Sequence, residues 1–168
     1  MIRDPVTRVR QTFTTEGESL VVDNWVEPGG ALPAHYHPQQ EERWSVIDGE
    51  ARFRHGSSER VITPDDGEIL VAPGDVHAIT SSSDRDAHLR CYVTPPLRLR
   101  QFLEEAASAG EAGLFTQAGR PRGLRGARWA AGFLKRYGDE TVLLFPPPIA
   151  QRVLIALLAR GNARAHPG

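Results

Sequence analysis

The stretch "PAHYHPQQEERWSVIDGEARF", residues 33–53, sets two histidines one residue apart and then places a glutamate at the head of an apolar-rich run. In an extended strand successive side chains point to opposite faces, so His35 and His37 share one face. The Pro38-Gln39-Gln40 break lets the chain turn, and a strand starting near Glu42 can return alongside with its carboxylate toward the same interior. Period two then carries Trp44 and Val46 inward with Glu42 and leaves Glu41 to solvent. Further on, "APGDVH" brings His77 to the end of a Pro-Gly turn, from which it can approach the same point on another strand.

Three neutral imidazole nitrogens and one carboxylate oxygen suit one divalent transition metal, with Fe, Mn, Ni, Zn, Co and Cu all compatible. Mg and Ca would call for more oxygen. The predicted ligands are therefore His35, His37, Glu42 and His77. Four protein ligands on a six-coordinate ion leave two positions open, and open positions mean chemistry or exchangeable ligands. No organic cofactor motif accompanies them.

Around this segment, residues 19–94 break into eight short runs separated by turn signals: "SLVVDNWV", "AHYH", "ERWSVI", "ARFRH", "RVIT", "EILVA", "VHAIT" and "AHLRCYV". Such spacing predicts an all-β sandwich or small barrel of jelly-roll form, with Asp48-Gly49 as a hairpin turn. After "TPP" the period changes. Leu99, Phe102, Leu103 and Ala106 recur at helical spacing, a second helix is expected in "LRGARWAAGFLKRYG", and a third in "PIAQRVLIALLARG", with Pro148 in its first turn and Gly161 as its cap. In the third, Ile149, Val153, Ala156 and Leu157 form one apolar face. The fold class expected is mainly β, a jelly-roll barrel over residues 1–95 with an N-terminal arm, followed by a helical extension over residues 96–168 packed on the barrel or on a dimer partner.

Composition narrows the setting. The 168 residues, 40% hydrophobic and 24% charged with 16 Gly and 13 Pro, describe a turn-rich globular chain. The net charge of -1 conceals an asymmetry: residues 1–94 hold 9 basic and 16 acidic side chains, residues 95–168 hold 11 and 5. The basic cluster from Arg120 to Arg136 belongs to no recognised nucleic-acid-binding module, which argues against nucleic acid, and no recognition turn marks a helix-turn-helix. With no export signal, no membrane-length apolar run and one cysteine, Cys91, the expected compartment is the cytoplasm.

The two histidine motifs together resemble the cupin family. Its first motif, Gly, five residues, His-x-His, three or four residues, Glu, six residues, Gly, is met by Gly29, His35, His37, Glu42 and Gly49. Its second is met by Gly74 and His77 at their spacing, but Ala72 replaces the usual proline, Gly67 sits one residue too close, and Ser81 stands where Asn is usual. The resemblance, over about residues 18–94, implies the barrel, a metal held by His35, His37, Glu42 and His77, and frequent homodimers. It implies a small-molecule ligand or substrate and leaves the reaction open. A quercetinase-like dioxygenase, with Glu42 as catalytic base, stands beside a Lewis-acid isomerase or cyclase and a non-enzymatic binding module. Trp44, Trp25 and Phe53 are candidates for an apolar wall, and Gln39 and Gln40 for the mouth of the site.

Overall fold

The computed structural model describes residues 1–158. The first two strands, β1 (Ile2–Asp4) and β2 (Val9–Glu16), precede β3 (Ser19–Val26), β4 (Ala31–Tyr36), β5 (Glu41–Asp48), β6 (Ala51–His55), β7 (Ser58–Ile62), β8 (Ile69–Val71), β9 (His77–Ser81) and β10 (Ala87–Thr94). They form two antiparallel sheets together with the short β11 (Val142–Leu143), in the orders β1-β2-β3-β10-β5-β8 and β11-β4-β9-β6-β7. From β3 to β10 the chain changes sheet at every connection except the β6–β7 hairpin, which is the jelly-roll pattern. The fold is mainly β, as the turn spacing predicts, with helices after it.

Alternation fixes which residues enter the interior. Along β10 every second residue is buried, giving Ala87, Leu89, Cys91 and Val93, and along β5 the buried set is Glu42, Trp44 and Val46. These meet Val22 and Val26 from β3, Phe53 from β6 and Ile79 from β9 in one apolar core. A one-residue slip would send the whole set to solvent, so the pattern pins the register. The core ends at Glu42, where the same phase that buries Trp44 and Val46 buries a carboxylate.

The Asp48-Gly49 turn is not a hairpin. Strand β5 pairs with β10 and β8, and β6 pairs with β7 and β9, so this turn carries the chain from one sheet to the other. Gly49 has φ +78°, and a Cβ there would lie 2.9 Å from the Asp86 carbonyl oxygen, so both conformation and space call for glycine. Asp-Gly serves any tight reversal of this geometry, which is why the dipeptide alone suggests a hairpin.

After the barrel come α1 (Leu99–Glu111), α2 (Gly123–Tyr137) and α3 (Pro148–Leu158). α1 lies close against the N-terminal strand: a Cβ at Gly110 would meet Asp4 Oδ1 at 2.9 Å and Pro5 Cδ at 3.1 Å. α1 and α2 share an aromatic seam, Phe102 with Phe133 at 4.8 Å and Phe133 with Trp129 at 4.7 Å between ring centroids. α3 turns a different side inward from the one its apolar periodicity suggests. Ile149, Val153 and Leu157 are exposed, whereas Gln151 is buried and donates to the carbonyls of Leu143 and Pro146. Those two bonds rotate the helix away from its most apolar stripe. The Gly161 cap falls outside the described residues.

Candidate metal centre

His35 stands on β4 and His37 just beyond its end, Glu42 on β5 and His77 at the start of β9. Cross-strand register sets His35 opposite His77, while Glu42 arrives from the other sheet, next to Val93 of β10. One potential ligand atom from each of the four lies within 4.8 Å of all the others. His37, Glu42 and His77 are buried; His35 keeps part of its surface, on the wall of an internal cavity.

The outer ring nitrogens decide what the inner ones can do. His35 Nδ1 is 2.7 Å from the Pro33 carbonyl, His37 Nδ1 is 3.0 Å from the Glu140 carbonyl, and His77 Nδ1 is 3.2 Å from the Asp75 carbonyl. A carbonyl only accepts, so each Nδ1 carries the proton and each neutral ring presents an Nε2 lone pair. His37 Nε2 and His77 Nε2 lie 3.1 and 2.8 Å from the two Glu42 oxygens, yet neither is aligned to hydrogen-bond and both are buried without a partner. Converging, buried lone pairs beside a carboxylate match a cation, and the outer bonds are of the kind that orient metal-binding histidines. The donor set fits a divalent transition metal.

Titration shifts agree with this crowding. Burial and the neighbouring His77 and His37 push His35 down to about 3. Burial opposes charge on Glu42, but His37 and His77 outweigh it and hold the carboxyl well below the usual carboxylate range. His37 is raised, because the Glu42 carboxylate and the Glu140 carbonyl overcome its burial. Glu42 Oε2 also accepts from Trp44 Nε1 at 2.8 Å, an orientation that period two along β5 provides.

Of the wall candidates, Trp44 lines the cavity, Phe53 is core, stacked on His77 at 6.5 Å, and Trp25 points outward onto His88 at 4.5 Å. Neither glutamine lines the mouth. Gln39 donates to the Asp139 carbonyl, and buried Gln40 donates to the carbonyls of Pro95 and Pro96. The sequence reading missed the segment that seats His37. β11 pairs with β4 through Val142–Tyr36 and Leu143–His35, and Glu140 and Thr141 sit over the His37 ring. A two-residue strand and a backbone carbonyl leave no signal in a sequence. The cavity has a volume of about 490 Å³, within the usual ~300–1,000 Å³ of small-molecule sites, and the aromatic seam of α1 and α2 forms its far wall.

Residues 25–93 match the Cupin domain family. A protein named as an oxidoreductase from Arthrobotrys oligospora is 38% identical over 51 residues, which span 30% of this chain and 20% of that protein. Among solved structures, a double-stranded beta-helix protein from Klebsiella pneumoniae is similar at 26% identity and TM-score 0.48, covering 53% of this chain and 74% of that one. A predicted oxalate decarboxylase from Thermotoga maritima is similar at 17% identity and TM-score 0.47, covering 51% and 78%. The histidine spacing, the jelly-roll strand order and this match agree: the barrel carries a cupin domain over residues 25–93.

Proposed function

We propose that this protein holds one divalent transition metal on His35, His37, Glu42 and His77 and acts as a dioxygenase on a small, largely apolar organic molecule. The observation that carries the metal is the set of three histidines whose Nδ1 atoms are occupied by carbonyls, gathered with Glu42 so that His37 and His77 turn their Nε2 atoms to its carboxylate. A bound ion would supply Lewis acidity, lowering the pKa of a substrate hydroxyl. Glu42, steadied at Oε2 by Trp44, would be the group to accept that proton on loosening from the ion. The carbonyl-tied histidines keep their tautomer throughout, and the helices cover one side of the cavity.

The cavity's sparse acid–base chemistry favours oxygen chemistry over isomerisation. Beyond the cluster, its ionisable lining among the described residues is Asp4, Arg120 and Cys91. Asp4 is engaged by the Val6 amide, and burial raises the Cys91 thiol well above its ordinary value. An isomerase or cyclase would need a second proton-transfer group facing the substrate.

Elemental analysis of untagged protein followed by oxygen-electrode screening of enols and hydroxyaromatics tests the reading. Near one Fe, Mn or Ni per chain with oxygen consumed in step with substrate is expected. Zinc with turnover but no oxygen uptake would replace it with a Lewis-acid isomerase or cyclase, and ligand binding without turnover would leave a binding module. A homodimer and a cytoplasmic setting belong to the same proposal, the former testable by sedimentation. No helix among the described residues is long and apolar enough to cross a membrane.

A further inference from the structure

Gln11 on β2 and Asn24 on β3 face each other in register, 4% and 1% exposed, and both line the cavity that His35, His37 and Glu42 also line. Two carboxamides in an otherwise apolar wall are expensive to bury, so their hydrogen bonds define what the wall can read. Their orientation follows from one backbone atom. The Val22 carbonyl only accepts, so the Asn24 atom 3.1 Å from it is the amide nitrogen. The Asn24 oxygen therefore faces Gln11, and the Gln11 atom 2.8 Å away is the Gln11 nitrogen. This relay ends at Gln11 Oε1, an acceptor on the cavity wall with no hydrogen-bond partner among the described residues.

The register also places this acceptor away from the cluster. Leu89 opposes both Asn24 and Val46, whereas Val93 opposes both Leu20 and Glu42. Gln11, opposite Asn24 on β2, is thus three strands across and four residues along from Glu42, roughly 20 Å between Cα atoms on a flat sheet. That span, in a cavity of about 490 Å³, accommodates a molecule of about two fused rings. The wall facing that gap is aromatic: Phe102, Phe133, Trp129 and Phe115, the last edge-on to Trp129 at 5.5 Å.

We propose that the cavity takes a planar, mainly apolar aromatic molecule of about two rings, with a metal-binding oxygen pair at one end and a hydroxyl or N–H donor at the other that Gln11 Oε1 accepts. The inference rests on the metal-site reading above and adds the ligand class and a specificity-determining residue. The aromatic seam supplies shape and apolar contact. The acceptor supplies the choice between a molecule with a distal donor and one without, because an apolar or ether substituent would leave Gln11 Oε1 unpaired.

Fluorescence titration of zinc-loaded protein with hydroxynaphthoates tests this, since an ortho hydroxyl and carboxylate form the metal-binding head. The probes are the parent compound, isomers with a second hydroxyl at different positions on the distal ring, and the matching methoxy compounds. At least one distal-hydroxyl isomer should bind about tenfold more tightly than both the parent and its methoxy partner, a difference of ~1.4 kcal/mol. Gln11→Met, which removes the acceptor, should abolish that preference, with circular dichroism showing that the barrel is intact. Equal affinity for all probes in the wild type, or an undiminished preference in a folded Gln11→Met, overturns the role of Gln11. If no hydroxynaphthoate binds, the ligand class is wrong. Zinc content measured on the same samples shows separately whether the metal-site reading stands.

Discussion

Replacing Glu140 by alanine should weaken divalent-metal binding about tenfold, although its carboxylate is turned toward Arg98. That carboxylate accepts from the Arg98 backbone N–H at 2.8 Å and from Arg98 Nε at 2.5 Å, and these bonds hold the Glu140 carbonyl over His37 Nδ1. Each such bond has a net worth of ~0.5–1.5 kcal/mol. The Arg98 side chain is 40% exposed, so its share belongs at the low end, and about 1.5–2 kcal/mol seats the segment in total. A site that needs His37 fixed in its Nδ1–H tautomer loses a comparable amount, and ~1.4 kcal/mol is a factor of ten. The cost of removing outer partners of metal-binding histidines, about 10–100-fold, brackets the same figure. The assay is zinc competition against a fluorescent chelator, with circular dichroism to establish that the barrel is intact. Arg98→Ala, which removes the side-chain bond but keeps the Arg98 backbone N–H, should give a smaller loss, and Glu104→Ala, which breaks only the exposed Arg100 pair, should give none. Wild-type zinc affinity in a folded Glu140→Ala would refute the view that the C-terminal segment orients His37.

His77→Ala should abolish or sharply weaken metal binding, read by elemental analysis, while circular dichroism shows an intact barrel. Stripping metal with a chelator should lower the melting temperature in wild type and leave that variant unmoved, because a ligand of the native state stabilises it in proportion to its binding. Ile79→Ala removes a fully buried core side chain and should cost ~2–5 kcal/mol in denaturant unfolding. Asp23→Asn should lower stability at neutral pH. Burial opposes charge on Asp23, but hydrogen bonds from Arg90 and His88 depress its pKa, so its contribution is present above the ordinary carboxylate value. The gap between wild type and variant should close as pH falls through the depressed value.

The barrel was legible where one face of a strand is apolar. β5 and β10 announce themselves by alternation and β3 by its apolar run, and the spacing of His35, His37, Glu42 and His77 brings out the cluster that the structure assembles. β2 was not legible, because "VRQTFTTE" carries Gln11 on its inward face and mostly polar residues elsewhere. The same polarity that hid the strand supplies the cavity's acceptor. β11 is two residues long, and its neighbour Glu140 acts through a main-chain carbonyl that any residue type would offer. The third helix showed the opposite failure. Its periodicity was real, but hydrogen bonds from Gln151 chose a different side to bury.

The segment around β11 also ties two equilibria together. It continues from α2, which lines the cavity, and it ends on the ring nitrogen opposite the ligand atom of His37. A molecule that seats the helical cover therefore steadies His37, and an ion drawn to His37 steadies the cover by the same free energy, because linkage between binding events is reciprocal. Metal exchange should then slow when the cavity is full, and occupancy of the cavity should report which ion is held.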